Sequence, residues 1–228
     1  MIAINNKSAH SFAIQQAYHQ IKNDIVNRVF QPGQLLSTTF LSEHLKIESI
    51  FLQEVLCRLI YSGLITTNND STFNVIIITE SMVRDMCTTM LQIEEIAITQ
   101  SIAHGDHIWE TEIHRTLQAL DNAFNQPEHN DALLVERNQN FHNAIVANCN
   151  SPTLLQIRSC LYYKFNTLVQ LVFKNAPSRA FLMQKKEEHR LIAQAVLNRD
   201  AKETCTLNYY HIIGSVKIIV DAINKNNK

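Results

Sequence analysis

From Phe12 to Val29 the apolar residues Ile14, Ala17, Tyr18, Ile21, Ile25 and Val29 recur every three or four positions, the period of one helix face. The helix they predict stops before Gln31-Pro32-Gly33. A second, shorter helix follows Ser37 as its N-cap, with Phe40, Leu41 and Leu45 turned inward. A third runs from about Ser49 through Leu52, Val55, Leu56 and Leu59 to a C-terminal cap at Gly63. The period then changes. Leu64–Thr67 and Phe73–Ile78 are β-branched or apolar, and the polar run Asn68-Asn69-Asp70-Ser71-Thr72 between them predicts a β-hairpin. Beyond Thr79 only helical periodicity remains, as far as Ile223, with breaks near Gly105, Pro127, Pro152 and Pro177. These breaks divide the stretch into about six helices, over 81–103, 106–125, 130–149, 151–175, 178–198 and 200–223. Ser151-Pro152 reads as a helix start, since Ser is a good N-cap and Pro is tolerated at the first helical position. The expected fold is mainly α, with a helix-turn-helix and hairpin over 1–79 and an all-helical bundle over 80–228.

Composition narrows the function. The chain has 228 residues, 46% of them hydrophobic and 18% charged, enough for a buried core and too apolar for disorder. Four glycines and four prolines leave little material for the turns of an all-β fold. With Lys+Arg at 20 against Asp+Glu at 21, the net charge of -1 argues against a strongly basic nucleic-acid binder. The odd cysteine count (Cys57, Cys87, Cys149, Cys160, Cys205), without a close pair, points to a reducing compartment. No apolar signal segment opens the chain, and runs such as Val75-Ile76-Ile77-Ile78 are far too short for a bilayer. A soluble, cytoplasmic protein without a membrane partner is expected.

Three of the ten histidines fall on apolar helix faces. His142 lies four residues after Asn138 and shares a face with Leu134 and Ile145; His189 lies with Ile192, Ala193 and Val196, and His211 with Leu207, Ser215 and Ile218. Taken singly, each reads as a hydrogen-bonded core residue. Imidazoles converging inside a helical bundle are a normal way to hold a divalent metal. The cluster Lys185-Lys186-Glu187-Glu188 reads as a solvated helix face. No Ser-His-Asp or Cys-His spacing and no glycine-rich phosphate loop supports catalysis, so a metal-dependent enzyme is the weaker alternative.

The run Pro32-Gly33-Gln34-Leu35-Leu36, with Leu41, Leu45, Ile47, Glu54-Val55-Leu56, Arg58-Leu59 and Gly63-Leu64-Ile65, resembles the winged-helix domain of the GntR family of bacterial transcription regulators. In such domains the third helix enters the major groove and the hairpin tip touches the backbone. The family usually has arginines where this chain has Thr39, Ser49 and Gln53, and an Asn-Arg-Gly wing tip where it has Asp70-Ser71-Thr72. Up to Thr79, Lys7, Lys22, Arg28, Lys46 and Arg58 are matched one for one by Asp24, Glu43, Glu48, Glu54 and Asp70. On the functional reading Gln53 can still bond adenine, Thr39 and Ser49 can bond phosphates, and Ile50 or Phe51 can contact thymine methyls. Arg58 or Lys46 would supply charge, with Ser71 and Thr72 at the wing. The competing reading is a scaffold with weakened or lost DNA recognition that acts through protein contacts at Ile50-Phe51.

Asn138 to Ile145, Asn150 to Leu155, Glu188 to Ala195 and the late His211 resemble the FCD domain, the helical effector domain of the FadR subfamily of GntR regulators. The resemblance implies that His142, His189 and His211 bind a divalent metal of the zinc, nickel or manganese type. Asn138 stands where the family has an aspartate ligand, which lowers the expected affinity. Met90 stands where the family has an arginine, four residues before the glutamate matched by Glu94. Met90 and Glu94 thus mark the effector subsite, and the missing arginine puts the usual carboxylic acid in question. The function implied is a homodimeric, ligand-responsive transcription regulator whose partners are a double-stranded DNA operator and a small effector.

Overall fold

A computed structural model describes residues 3–67, 72–126, 131–172 and 179–226, and Asp70 and Ser71 lie outside that range. The chain divides into two compact units, Met1–Glu80 with Tyr163–Phe173 and Ser81–Tyr162 with Lys174–Lys228. The first contains α1 (Ala3–Val26), α2 (Thr38–Leu45) and α3 (Ser49–Tyr61), with strands β1 (Leu35–Leu36), β2 (Ile65–Thr67) and β3 (Phe73–Val75).

The helix α1 starts at Ala3 instead of near Phe12, because no breaker precedes Phe12. It ends earlier than the periodicity suggested. Val29 N–H donates to the Asp24 carbonyl (2.8 Å) and Arg28 N–H to the Ile25 carbonyl (3.1 Å), with Arg28 at φ 61°, the paired bonds of a Schellman stop. Val29 is therefore off the helix and 59% exposed. Ser37 caps α2 by accepting from Phe40 N–H (3.1 Å), and Leu41 is fully buried, while Phe40 points outward and stacks on His44. At the end of α3, Gly63 takes φ 74°, so that its N–H and that of Leu64 close on the carbonyls of Ile60 and Leu59. A β-hairpin follows as expected, shorter than its apolar runs. β1, which the periodicity did not mark, pairs antiparallel with β3 (Leu36 opposite Phe73), giving a sheet in the order β1-β3-β2. A two-residue strand is too short to show alternation.

The described part of the second unit consists of helices joined by short turns: α4 (Glu80–His104), α5 (His107–Phe124), α6 (Asp131–Val146), the first half of α7 (Pro152–Val172), α8 (Arg179–Leu197) and α9 (Ala201–Asn226). Side-chain caps start several of these helices. Asp106 accepts from Trp109 N–H (2.8 Å), Ser151 from Leu154 N–H (3.3 Å) and Asp200 from Glu203 N–H (2.9 Å). Gly105 is required by packing, because a Cβ there would stand 2.2 Å from the Trp109 ring. Phe141, Ile113, Leu120, Ile98, Ile192 and Val196 form the interior, and Trp109 Nε1 donates into it to the Ala144 carbonyl (2.8 Å). Among the described residues Gly63 supplies a left-handed glycine stop, while Arg28, Lys46, Asn150 and Arg199 adopt the left-handed conformation beyond other helices. All five cysteines are free thiols, and among the described residues no helix is long and apolar enough to cross a membrane.

Removing the α2 cap with Ser37→Ala should lower the stability of the first unit by about 1 kcal/mol. Urea denaturation followed by helix circular dichroism checks it, and an unchanged midpoint would mean that the Ser37 bond contributes nothing.

Candidate metal centre and nucleic-acid interface

The apolar stripes of α6, α8 and α9 bring His142, His189 and His211 together. One ligand-capable atom from each lies within 4.8 Å of the others, and the three residues are 4%, 1% and 7% exposed. His142 Nε2 faces His189 Nε2 at 3.2 Å. Two nitrogens sharing a tetrahedral or octahedral metal at about 2.0–2.1 Å are roughly 2.8–3.4 Å apart, so this edge has the length that a metal needs. The donor set also fits. Burial pushes the pKa of His142 and of His189 well below the ordinary value, reinforced by the neighbouring His211 and by Lys185. Burial lowers His211 too, although Glu188 pulls it back. Neutral imidazoles are the form that binds metal. His189 Nδ1 is buried, and the Lys185 carbonyl one turn earlier is the backbone acceptor that acts on it. Asn138, one turn before His142 on α6, is half-buried.

The charged run on α8 departs from the sequence expectation. Lys185 and Lys186 are 6% and 7% exposed, not solvated, because Lys185 lies one turn before His189 on the same inward face. Its Nζ donates to Glu188 Oε2 (2.7 Å) and to the His211 carbonyl (2.7 Å). Glu188 Oε2 also accepts from His211 Nδ1 (2.8 Å). Burial raises the Glu188 pKa, but the hydrogen bonds from His211 and Lys185, with the Lys185 charge, outweigh it and bring it down to about 2.

Met90 and Glu94 are each 2% exposed on α4, and Glu94 meets a residue that the sequence reading missed. Arg158 on α7 donates through Nε to Glu94, through Nη1 to Asn143 Oδ1 (2.7 Å) and through Nη2 to the His142 carbonyl (3.1 Å). Its guanidinium also lies 4.4 Å from the centroid of the Tyr162 ring. Burial pushes Glu94 up while Arg158 pulls it down; for Arg158, burial pulls down and Glu94 more than offsets it. We take the pair as ionised, since a guanidinium buried among neutral acceptors requires its counter-ion. The signal was available in the sequence: Arg158 interrupts an apolar helical stripe between Leu154 and Leu161.

In the first unit, Asp24 of α1 holds α2 through His44 Nε2 (3.0 Å) and is braced by Gln20 (2.9 Å). The outer face of α3 carries Ile50, which is 71% exposed, with Gln53 and Arg58 also exposed; Thr39 is exposed on α2. Phe51 is half-buried and rests on the His10 ring, with centroids 4.6 Å apart. Arg58 is bound to Glu54 one turn away (2.6 Å), so its charge is locally balanced. Ser49 opens α3, Thr72 is half-buried beside β3, and Ser71 falls outside the described residues.

Comparison with known proteins agrees with both units. The FCD domain pattern matches residues 85–214, and the pattern of bacterial regulatory proteins of the gntR family matches residues 13–75. The HTH-type transcriptional repressor GlaR of Escherichia coli K12 is 29% identical over 217 residues, spanning 92% of this chain and 96% of its own. The HTH-type transcriptional regulator BphR of Paraburkholderia xenovorans LB400 is 25% identical over 211 residues, covering 90% and 84%. Among solved structures, E. coli McbR/YncC aligns with a TM-score of 0.67 at 18% identity over 92% of this chain and 97% of its own. A GntR-type regulator from Rhodococcus sp. RHA1 aligns with a TM-score of 0.62 at 14% identity over 92% and 98%. The chain belongs to the GntR family, in the group that joins the winged helix-turn-helix to an FCD effector-binding domain, and is a DNA-binding transcription regulator, not an enzyme.

Proposed function

We propose that this regulator works as a homodimer whose helical domain, over 80–228, uses a divalent metal held by His142, His189 and His211 to bind a small anionic effector. The winged helix over 1–79 would read an operator half-site. The observation that carries this reading is the buried imidazole triad, with its 3.2 Å Nε2–Nε2 edge. Asn138 completes the set as a neutral oxygen ligand. A metal bound there supplies a Lewis-acid anchor for a carboxylate oxygen, so a carboxylic acid can be held without an arginine at Met90. Arg158 is already committed to Glu94, Asn143 and the His142 carbonyl, and its part is to steady the backbone that presents His142. Effector binding changes operator affinity to the extent that it favours one state of the dimer.

On DNA, Gln53 reads adenine and Ile50 contacts thymine methyls, while Thr39, Ser49 and Thr72 bond phosphates. With Arg58 paired to Glu54, recognition rests on hydrogen bonds and apolar contact more than on charge. The exposure of Ile50 also fits a protein contact, which is the second reading and an outcome of the test.

Dialysis against zinc, nickel or manganese should leave one ion per chain by elemental analysis, and His189→Ala should lose it. In titrations on duplex from the protein's own promoter region, Gln53→Ala should cost about 1–3 kcal/mol on the operator and almost nothing on random DNA. Glu54→Gln, by freeing Arg58, should tighten binding to all DNA and steepen the salt slope by about one unit. Equal affinity of the unaltered protein for operator and random DNA would remove the operator reading and leave the protein contact.

The metal-free protein should lose stability as pH falls below about 6.5, the pKa of histidine in the unfolded chain. Below that pH the unfolded chain takes up protons that the three buried imidazoles, with depressed pKa values, do not. Each imidazole still neutral in the fold adds a slope of about 1.4 kcal/mol per pH unit. Denaturation midpoints between pH 7.5 and 5 measure it, and a flat profile would mean that the cluster takes up protons without cost.

A further inference from the structure

Glu188 was grouped in the sequence with a solvated run, yet its carboxylate is filled from three sides. Oε2 accepts from His211 Nδ1 at 2.8 Å and from Lys185 Nζ at 2.7 Å, and Oε1 accepts from Gln184 Nε2 at 2.8 Å. Lys185 Nζ closes the ring by donating to the His211 carbonyl at 2.7 Å, so α8 grips both the ring and the backbone of His211 on α9. An acceptor-only carboxylate bound to an ammonium has no proton to give. His211 must then carry its proton on Nδ1, which leaves Nε2 with a lone pair. Glu188 adds no atom to the cluster of ligand atoms.

We propose that Glu188 is a positioning residue of the metal centre: it fixes the tautomer and orientation of His211, and it offsets the Lys185 ammonium beside a site whose ligands are otherwise uncharged. This rests on the metal reading above. Three imidazoles and the Asn138 amide bring no negative charge to the ion. Glu188 supplies it through His211 without occupying a coordination position, and hydrogen bonds from ligand histidines to carboxylates typically affect metal affinity by about 10–100-fold. Lys185 has the opposite effect, since an ammonium this close repels a cation unless its own counter-ion stays in place.

The test uses full-length protein and cobalt(II), with affinity from chelator competition and geometry from the visible absorption of the bound ion. Glu188→Gln should weaken binding by about 10–100-fold and alter the absorption spectrum. The double variant Lys185→Met/Glu188→Gln should recover part of the loss, because it removes the ammonium that glutamine leaves uncompensated. A purely structural role would lower the melting temperature and leave both affinity and spectrum unchanged, which would overturn the proposal. Imidazole nitrogen NMR of the metal-free protein gives a readout independent of the ion: His211 should be protonated on Nδ1 and lose that preference in Glu188→Ala. His211 protonated on Nε2 in the unaltered protein would overturn the proposal while leaving metal binding intact. Unaltered protein that takes up no cobalt, with His211 protonated on Nδ1, would overturn the metal reading instead and with it the role of Glu188 there.

Discussion

Polar groups placed in an apolar interior must be paired, and the helical unit is organised around that requirement. Three imidazoles share the core with Phe141, Ile192 and Val196, and two buried cations reach their backbones, Lys185 from α8 and Arg158 from α7. Each cation has a carboxylate. Arg158 is joined to Glu94 and Lys185 to Glu188, and each pair also reaches the backbone carbonyl of a histidine: Arg158 that of His142, Lys185 that of His211. The pairs therefore do more than neutralise charge. Buried ion pairs are weak sources of stability, so their value here is geometric, holding two of the three imidazole-bearing backbones in place.

The DNA-binding unit follows a different economy. Its charge is not hidden but cancelled at the surface, as where Glu54 takes Arg58 on the exposed face of α3. A neutral reading face gives up long-range attraction to the phosphate backbone and with it much non-specific affinity. On the DNA reading proposed above, what remains is contact chemistry at Gln53 and Ile50, which acts only when helix and groove are already in register. For such a protein the sharpness of α1, α2 and α3 matters more than their charge, and the Asp24–His44 tie between the first two is part of how the site is built.

Most of this architecture was legible in the chain because it rests on period and caps. Ser37, Gly63, Ser151 and the three histidines could each be placed from spacing alone. What escaped was set by partners distant in sequence. β1 is too short to alternate and exists only because β3 lies beside it. Lys185 and Glu188 looked solvated by composition, yet their helical register relative to His189 already turned Lys185 inward. Arg158 stood in an apolar stripe in plain view, but its meaning depends on Glu94, 64 residues away. Charge at an inward helical position is therefore a better pointer than charge by count.

Three helices here are followed by Arg28, Lys46 and Arg199 in a left-handed conformation that glycine adopts freely and these residues do not. Such stops are not written locally. An isolated α1 segment would have no reason to stop as early as Arg28, ahead of Gln31-Pro32; the earlier stop goes with Phe30, which is buried in the folded unit. Helix ends that exist only in the assembled core make each helix dependent on its neighbours for its own length. Breathing of one element then costs the boundaries of others, which favours opening as a whole unit over fraying end by end.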